Sequence, residues 1–96
     1  MSTYFIVNAA VTDPDLLATY RAATKATFEG HDVQLLVSTN DADVIEGTPV
    51  GRRVVVLKFG DEQAFQDWYQ SPKYQDIVGM RLSSTEGFAL LADGRD

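Results

Sequence analysis

The sequence has 96 residues, 45% of them hydrophobic and 23% charged, a composition typical of one globular domain spanning residues 1–96. Its formal charge of -6 argues against binding to nucleic acid or to anionic membranes, because both need clustered Lys and Arg. The lack of cysteine excludes disulfides and thiol chemistry, and with a single histidine we expect no metal and no cofactor.

The first part of the chain predicts a strand followed by a helix. Residues 3–11 are rich in β-branched and aromatic side chains and lack the features of a signal peptide, so they predict a buried first strand and a cytoplasmic protein. Asp13 supplies an N-cap and Pro14 fits the first helical position. A helix is therefore expected over 14–29, ending at Gly30.

The middle of the chain predicts an antiparallel hairpin. Residues 33–39 and 52–59 are both strand-like, and an acidic interval containing Gly and Pro separates them. Within this interval, residues 43–46 either extend the second strand or form a short hairpin arm. The tip of the hairpin is expected to be irregular.

The last third predicts a broken helix and a closing strand. A helix is expected over 61–70, and the Ser-Pro pair at 71–72 stops it and starts a second piece over 72–82. Residues 85–92 are strand-like, and residues 93–96 are expected to form a frayed tail.

The resulting order βαββαβ indicates an α+β, ferredoxin-like fold with a four-stranded antiparallel sheet and helices on one face. Alternation along the strands predicts that the helix-packed face holds Phe5, Val7, Ala9, Val33, Leu35, Val37, Val55, Leu57, Phe59, Phe88 and Leu90. The opposite face would hold Tyr4, Ile6, Asn8, Gln34, Leu36, Ser38, Val54, Val56, Lys58, Ala89 and Leu91. About half of that second set is aliphatic, which predicts a homodimer that buries this sheet face about a two-fold axis.

A set of residues along the chain carries a resemblance to a known family. They are Tyr4, Asp13, Tyr20, Glu46, Gly47, Trp68, Ser71, Pro72, Tyr74 and Arg81, and the pattern W-Y-x-S-P-x-Y is the most specific part. Over nearly its whole length the chain resembles the domain-of-unknown-function family thirteen-thirty (DUF1330). The chain departs from this family where the second strand begins, since the usual glycine-rich, often basic stretch is reduced to Gly30.

The resemblance implies membership of the dimeric α/β-barrel group, in which two ferredoxin-like subunits pack sheet against sheet. At that level the chain is similar to antibiotic-biosynthesis-type monooxygenases, polyketide cyclases and muconolactone isomerases. The resemblance implies no particular reaction, because one fold hosts many activities.

Three side chains are candidate catalytic residues. His31 is the one side chain that normally titrates near neutrality, although it also fits a plain loop position. Glu46 could act as a base in a partly buried setting, or it could pair with Arg81 or stabilise a turn. Arg81 shares an apolar helix face with Tyr74 and could clamp a ligand carboxylate, or it could cover the edge of the core.

Tyr4, Asn8, Trp68 and Tyr74 are candidate ligand-binding residues, although aromatic side chains at helical spacing equally suit a core. We predict a small homodimer that binds or converts a small aromatic or carboxylated metabolite, in a cleft between sheet and helices, by cofactor-free acid/base chemistry. The alternative is a non-enzymatic dimerisation module. A cavity bordered by Glu46, Arg81 and a tyrosine favours the first hypothesis, and a filled core in which Glu46 and Arg81 form a salt bridge favours the second.

Overall fold

Seven secondary-structure elements follow one another in the order β-α-β-β-α-α-β. The structure, a computed structural model, describes residues 1–96. Its elements are β1 (Thr3–Val11), α1 (Pro14–Thr27), β2 (Val33–Thr39), β3 (Arg53–Phe59), α2 (Glu62–Tyr69), α3 (Pro72–Ser84) and β4 (Thr85–Asp93). The strands form one antiparallel sheet in the order β2-β3-β1-β4. The predicted ferredoxin-like arrangement with a broken second helix is confirmed. None of the helices has the length and apolarity that a membrane span requires.

Each helix begins at a polar N-cap whose side chain accepts a backbone N–H from three residues further along the chain. These N-caps are Asp13 for α1, Asp61 for α2 and Ser71 for α3. Such a bond satisfies one of the free N–H groups of the first turn and stabilises a helix by about 1 kcal/mol. Helix α1 ends at Thr27, slightly earlier than expected, and the chain then turns at Gly30, where φ is +79°.

The core lies between the sheet and the helices and centres on Trp68. This side chain is 1% exposed, and its ring centroid lies 4.0 Å from that of Tyr74. Its Nε1 donates a hydrogen bond of 2.9 Å to the hydroxyl of Thr27. Trp68 therefore links α2 to both other helices. The buried apolar residues are Phe5, Val7, Ala9, Leu17, Tyr20, Leu57, Phe59, Phe65, Trp68 and Tyr74.

The faces of β4 are reversed relative to the prediction. Phe88 pairs with Asn8 and Leu90 pairs with Ile6, which places Phe88 and Leu90 on the face away from the helices. Ala89 and Leu91 instead share the helix-facing side with Val7 and Phe5. Because the segment is apolar at both alternating sets of positions, its pattern alone does not fix the face.

A register shift in β2 produces a second reversal. Leu35 pairs with Leu57, but Val37 pairs with Val56, so the strand contains an irregularity between positions 35 and 37. As a result Val37 joins the face away from the helices, and Ser38, opposite Val55, turns to the helix side. A bulge of this kind adds one residue to one strand and exchanges the faces beyond it.

The C-terminal residues are tied to the start of the chain. The N–H of Gly94 donates to the carbonyl oxygen of Ser2 at 2.7 Å. The Asp96 carboxylate accepts a bond of 2.9 Å from the Ser2 hydroxyl and lies 3.2 Å from Nζ of Lys58. The Ser2 hydroxyl and then Lys58 lower the pKa of Asp96 to about 2. The expectation of a frayed tail is therefore wrong.

Candidate functional site

A cavity of about 380 Å³ lies between the helix-facing side of the sheet and the helices. Its walls are mainly apolar and include Phe5, Val7, Phe28, Leu35, Val55, Leu57 and Trp68. The volume is within the range of small-molecule sites, which is roughly 300–1,000 Å³. We refer to it as the helix-side cavity.

The helix-side cavity exists because the helices do not cover the β2 edge of the sheet. Helix α1 packs chiefly against α3 rather than against the sheet. On β2, Leu35 faces the helix layer and lines the cavity, yet it is 53% exposed. An apolar residue that points into the helix layer and remains exposed marks the mouth of the cavity, beside α1.

Four cationic side chains line the helix-side cavity. Arg21 and Lys25 lie four residues apart on α1, a spacing that places them on one side of the helix, and both are exposed. Arg53 is the first residue of β3 and Arg81 lies in the last turn of α3. No Asp or Glu lines this cavity. The only salt bridges of the chain, Arg52–Asp43 and Lys58–Asp96, lie outside it.

Arg53 is the deepest of these cations, with 5% of its surface exposed. It donates one hydrogen bond of 2.8 Å, from Nη1 to Oδ1 of Asn40. Burial lowers the pKa of Arg53, and the positive charges of Arg21 and Arg81 lower it further, although Tyr20 opposes the shift. The direction indicates a guanidinium held in a positive, poorly solvated environment without a compensating acid.

Arg81 carries a buried donor that has no partner. Its Nε is inaccessible to solvent and makes no hydrogen bond, while its guanidinium carbon lies 5.8 Å from the ring centroid of Phe5. A cation over an aromatic face gains about 0.5–2 kcal/mol. Leaving a buried donor unsatisfied costs about 1–3 kcal/mol.

A pair of phenols stands beside these cations. The hydroxyls of Tyr20 and Tyr74 lie 2.8 Å apart, and Tyr20 lines the cavity while Tyr74 is fully buried behind it. Burial, followed by Tyr20, raises the pKa of Tyr74, and the charge of Arg81 opposes that shift only in part. Tyr74 therefore keeps its proton and can donate it to the Tyr20 oxygen, which leaves the Tyr20 hydroxyl free to donate into the cavity.

The structure brings only part of the predicted site together. Arg81 and Trp68 line the helix-side cavity, with Trp68 as a wall whose N–H is already bonded to Thr27. Tyr74 lies behind the wall and reaches the cavity through the hydroxyl of Tyr20. These residues come from the sequence motif at 68–81.

Glu46 and Asn8 belong to the other side of the sheet. Together with the loop over residues 40–52 they border a wide, open depression of about 630 Å³. Asn8 fixes this loop: its Nδ2 donates to the carbonyl oxygens of Gly51 at 2.9 Å and Arg53 at 3.3 Å, and its Oδ1 accepts from the N–H of Val50 at 3.0 Å. Glu46 forms no salt bridge with Arg81.

Tyr4 and His31 lie outside both concavities. Tyr4 pairs with Lys58 on the face away from the helices, and its ring contacts Gly94. His31 lies in the turn after α1, where its N–H donates to the carbonyl oxygen of Phe28 at 3.0 Å. Nowhere in the chain do three His, Asp or Glu side chains come close enough to offer a set of metal ligands.

Sequence reasoning missed Tyr20, Arg21, Lys25 and Arg53 as parts of a site. A signal for Arg53 exists, because alternation from Val55, Leu57 and Phe59 places position 53 on the same face. For Arg21 and Lys25 the spacing of four predicts a shared helix side but not what that side borders. That depends on the gap above β2, which no local pattern reports.

Comparison with known proteins agrees with the observed fold. A family model described as "Domain of unknown function (DUF1330)" matches residues 2–95. No curated protein matches the sequence. The RPA0582 protein of unknown function from Rhodopseudomonas palustris superposes with a TM-score of 0.81 at 12% identity, over 99% of this chain and 83% of that one.

Two further solved structures share the fold. SnoaB, a cofactor-independent oxygenase from Streptomyces nogalater, has a TM-score of 0.69 at 16% identity, over 99% of this chain and 94% of its own. A dimeric ferredoxin-like protein of unknown function from Thermobifida fusca has a TM-score of 0.66 at 15% identity, over 98% and 92%. At these identities the similarity establishes the ferredoxin-like fold and carries no activity with it.

Proposed function

The chain belongs to the DUF1330 family, and from that premise we propose that it binds a small anionic metabolite with an apolar or aromatic body in its helix-side cavity. One observation carries this proposal, namely an apolar cavity whose charged groups are all cations without an acidic partner. Guanidinium groups bind carboxylates in bidentate fashion and bury with them more readily than ammonium groups do.

In this proposal Arg81 and Arg53 hold the anionic group, while Trp68, Phe5 and Phe28 contact the apolar body. Arg81 lines the cavity, and its guanidinium group has no acidic partner in the protein. The cations exposed at the mouth, Arg21 and Lys25, attract the ligand from solution. The hydroxyl of Tyr20 is the protic group that borders the cavity.

Conversion of the ligand without a cofactor is the further step of the proposal. Its support is the Tyr20–Tyr74 pair beside the arginines; SnoaB, a cofactor-independent oxygenase, is an example of this fold with such an activity. Among the predicted catalytic residues, the geometry favours Arg81, because neither Glu46 nor His31 borders the same cavity.

Binding can be tested with benzoate and benzyl alcohol, which share a ring and differ in charge. We expect benzoate to raise the melting temperature and to bind measurably by calorimetry, with benzyl alcohol at least about tenfold weaker. Arg81→Gln is expected to weaken benzoate binding about tenfold or more, since a bond to a charged group contributes about 1.5–3 kcal/mol. Arg52→Gln is the matched control, because Arg52 is exposed and bonded to the loop outside the cavity. Equal binding of both compounds would refute the proposal.

We also propose that two copies form a homodimer through the sheet face away from the helices, here called the outer face. Its apolar members include Ile6, Val37, Val54, Val56, Phe88 and Leu90, and Phe88 and Leu90 are 48% and 54% exposed. The neighbour from Thermobifida fusca is described as dimeric, which supports a dimer, and the exposed apolar residues are the support for this face. The helix-side cavity lies on the opposite side of the sheet, so such a dimer leaves it open.

A further inference from the structure

We propose that the ligand of the helix-side cavity carries two negative charges, as a phosphate monoester or a pair of neighbouring carboxylates does, next to its apolar body. This inference rests on the proposed function and specifies its substrate class. It follows from where each of the four cations lies and from how many hydrogen-bond acceptors the protein offers them.

The cations divide into an interior pair and a mouth pair. Arg53 is 5% exposed and Arg81 is half-buried with a solvent-inaccessible Nε, whereas Arg21 and Lys25 are exposed on α1. Water and salt screen the mouth pair, but screening is weak for buried charges. The interior therefore holds two positive charges that the protein leaves unneutralised, and a ligand with a single charge balances only one of them.

The number of hydrogen-bond acceptors that the protein offers to these arginines also indicates a ligand with two negative charges. The guanidinium of Arg53 has one protein acceptor, Asn40, and that of Arg21 has one long bond of 3.4 Å to the Ser38 hydroxyl. The Nε of Arg81 has no acceptor, and the guanidinium interacts with the hydroxyl of Tyr74, whereas each guanidinium carries five N–H donors. One carboxylate supplies two oxygens, whereas a phosphate monoester supplies three terminal oxygens and a dicarboxylate four. A phosphate monoester or a dicarboxylate therefore has enough oxygens to accept hydrogen bonds from the guanidinium groups of both Arg53 and Arg81.

No side chain of the protein supplies the missing charge. No carboxylate lines the cavity, and the side chains that lower the pKa of Arg53 are two other arginines, opposed only by the Tyr20 phenol. In the proposed dimer the partner would cover the outer face, which is the far side of the sheet from this cavity. The counter-charge is therefore assigned to the ligand.

The test compares three probes that share a benzene ring: benzoate, phenyl phosphate and phthalate, measured by calorimetry at pH 7.5 and about 50 mM salt. We expect phenyl phosphate or phthalate to bind at least about tenfold tighter than benzoate. Tighter binding of phenyl phosphate would indicate a phosphate monoester as the ligand, and tighter binding of phthalate would indicate a dicarboxylate. Affinities within twofold of one another for all three would overturn the inference while leaving the proposed function intact. The absence of binding by any probe would overturn both.

A pH series provides an independent readout. The second proton of a phosphate monoester dissociates near pH 6, so lowering the pH from 7.5 to 5 should weaken phenyl phosphate binding about tenfold. Benzoate keeps its single charge over this range and should change little. No histidine and no carboxylate lines the cavity, so the comparison rests on the charge of the probe.

Substitutions at Arg81 test whether its charge, rather than a structural effect, causes the preference for a dianion. Arg81→Gln should reduce the preference for the dianion over benzoate to about twofold, and Arg81→Lys, which keeps the charge, should retain part of it. Arg52→Gln should leave the preference unchanged. Circular dichroism and the melting temperature establish that each variant is folded. A preference that survives Arg81→Gln in a folded protein would contradict the assignment.

Discussion

The hydroxyls of Tyr20 and Tyr74 meet in the interior at 2.8 Å, and this contact makes a single residue pair responsible for part of the alkaline behaviour of the protein. Burial raises the pKa of Tyr74 above its ordinary value of 10.0, so the folded chain keeps a proton that the unfolded chain loses. The stabilising contribution is therefore complete below about pH 10 and is lost as the pH rises above it.

Tyr74→Phe should flatten this alkaline loss of stability. From pH 9 to pH 11, urea denaturation of the wild type should show a fall in unfolding free energy that is steeper than that of Tyr74→Phe, by up to about 1.4 kcal/mol per pH unit. At pH 7 the variant should lose about 1 kcal/mol through the missing hydrogen bond. Tyr69→Phe is the control, since the Tyr69 hydroxyl makes no hydrogen bond to the protein. Parallel pH profiles for wild type and Tyr74→Phe would contradict the assignment.

Asn8→Ala should release the loop over residues 40–52. The side-chain amide of Asn8 makes three hydrogen bonds to this loop and to the start of β3. Its removal takes the Asn8 partner away from two carbonyl oxygens and one N–H. We expect a loss of about 1–3 kcal/mol in unfolding free energy and faster hydrogen exchange at the Val50 amide. Gln34→Ala, at an exposed strand position, is the control. Unchanged protection of Val50 would show that the loop is held by other contacts.

At the scale of the elements, the number, type and order of helices and strands could be predicted from the sequence, because N-caps, prolines and apolar runs act locally. The face of β4 could not. Its alternating sets, Phe88 with Leu90 and Ala89 with Leu91, are both apolar, and the pairing with β1 decides between them. The bulge near Val37 is equally invisible locally, since it depends on the partner strand.

Gly87 allows β4 to approach β1 closely in this register, and substituting it tests the pairing of the two strands. A Cβ at position 87 would collide with the backbone oxygen of Asn8 and the Cα of Ala9, so Gly87→Ala should push β4 away from β1. We expect a loss of about 2 kcal/mol or more in urea denaturation. Gly79→Ala is the matched control, because nothing lies within 4 Å of a Cβ there and a helical Gly→Ala change stabilises by about 0.5–1 kcal/mol. An unaltered midpoint for Gly87→Ala would contradict the close approach.

At the scale of the whole molecule, the extents of 31 × 31 × 16 Å describe a slab of one sheet and one helix layer, with the outer face uncovered. Leu90→Glu should prevent the proposed dimerisation, because it places a charge on the apolar outer face. It should not disturb the core of the monomer, since Leu90 is 54% exposed. Light scattering after size exclusion should give the monomer mass for Leu90→Glu and the dimer mass for Ala26→Glu, which alters an exposed position on α1. A monomeric wild type at micromolar concentration would refute the dimer.

The candidate site was predictable only where a local motif reports it. Trp68 and Arg81 follow from the broken helix, which aims both at the interior. Glu46 could not be excluded from the sequence, because the loop that carries it to the outer side is fixed by Asn8, a residue almost forty positions away. Arg53 could not be assigned to the site from the sequence, because the side chains that surround its charge come from other parts of the chain.

On the proposed function, the acid-free cavity also links the lifetime of the protein to the supply of its ligand. Two interior guanidinium groups repel each other when the cavity is empty, and an anion that binds between them stabilises the folded state in proportion to its concentration. Inside a cell, chains that unfold more often are degraded faster. If the chain binds the proposed anion, the amount of the protein should rise and fall with that metabolite after translation, without any change in its synthesis.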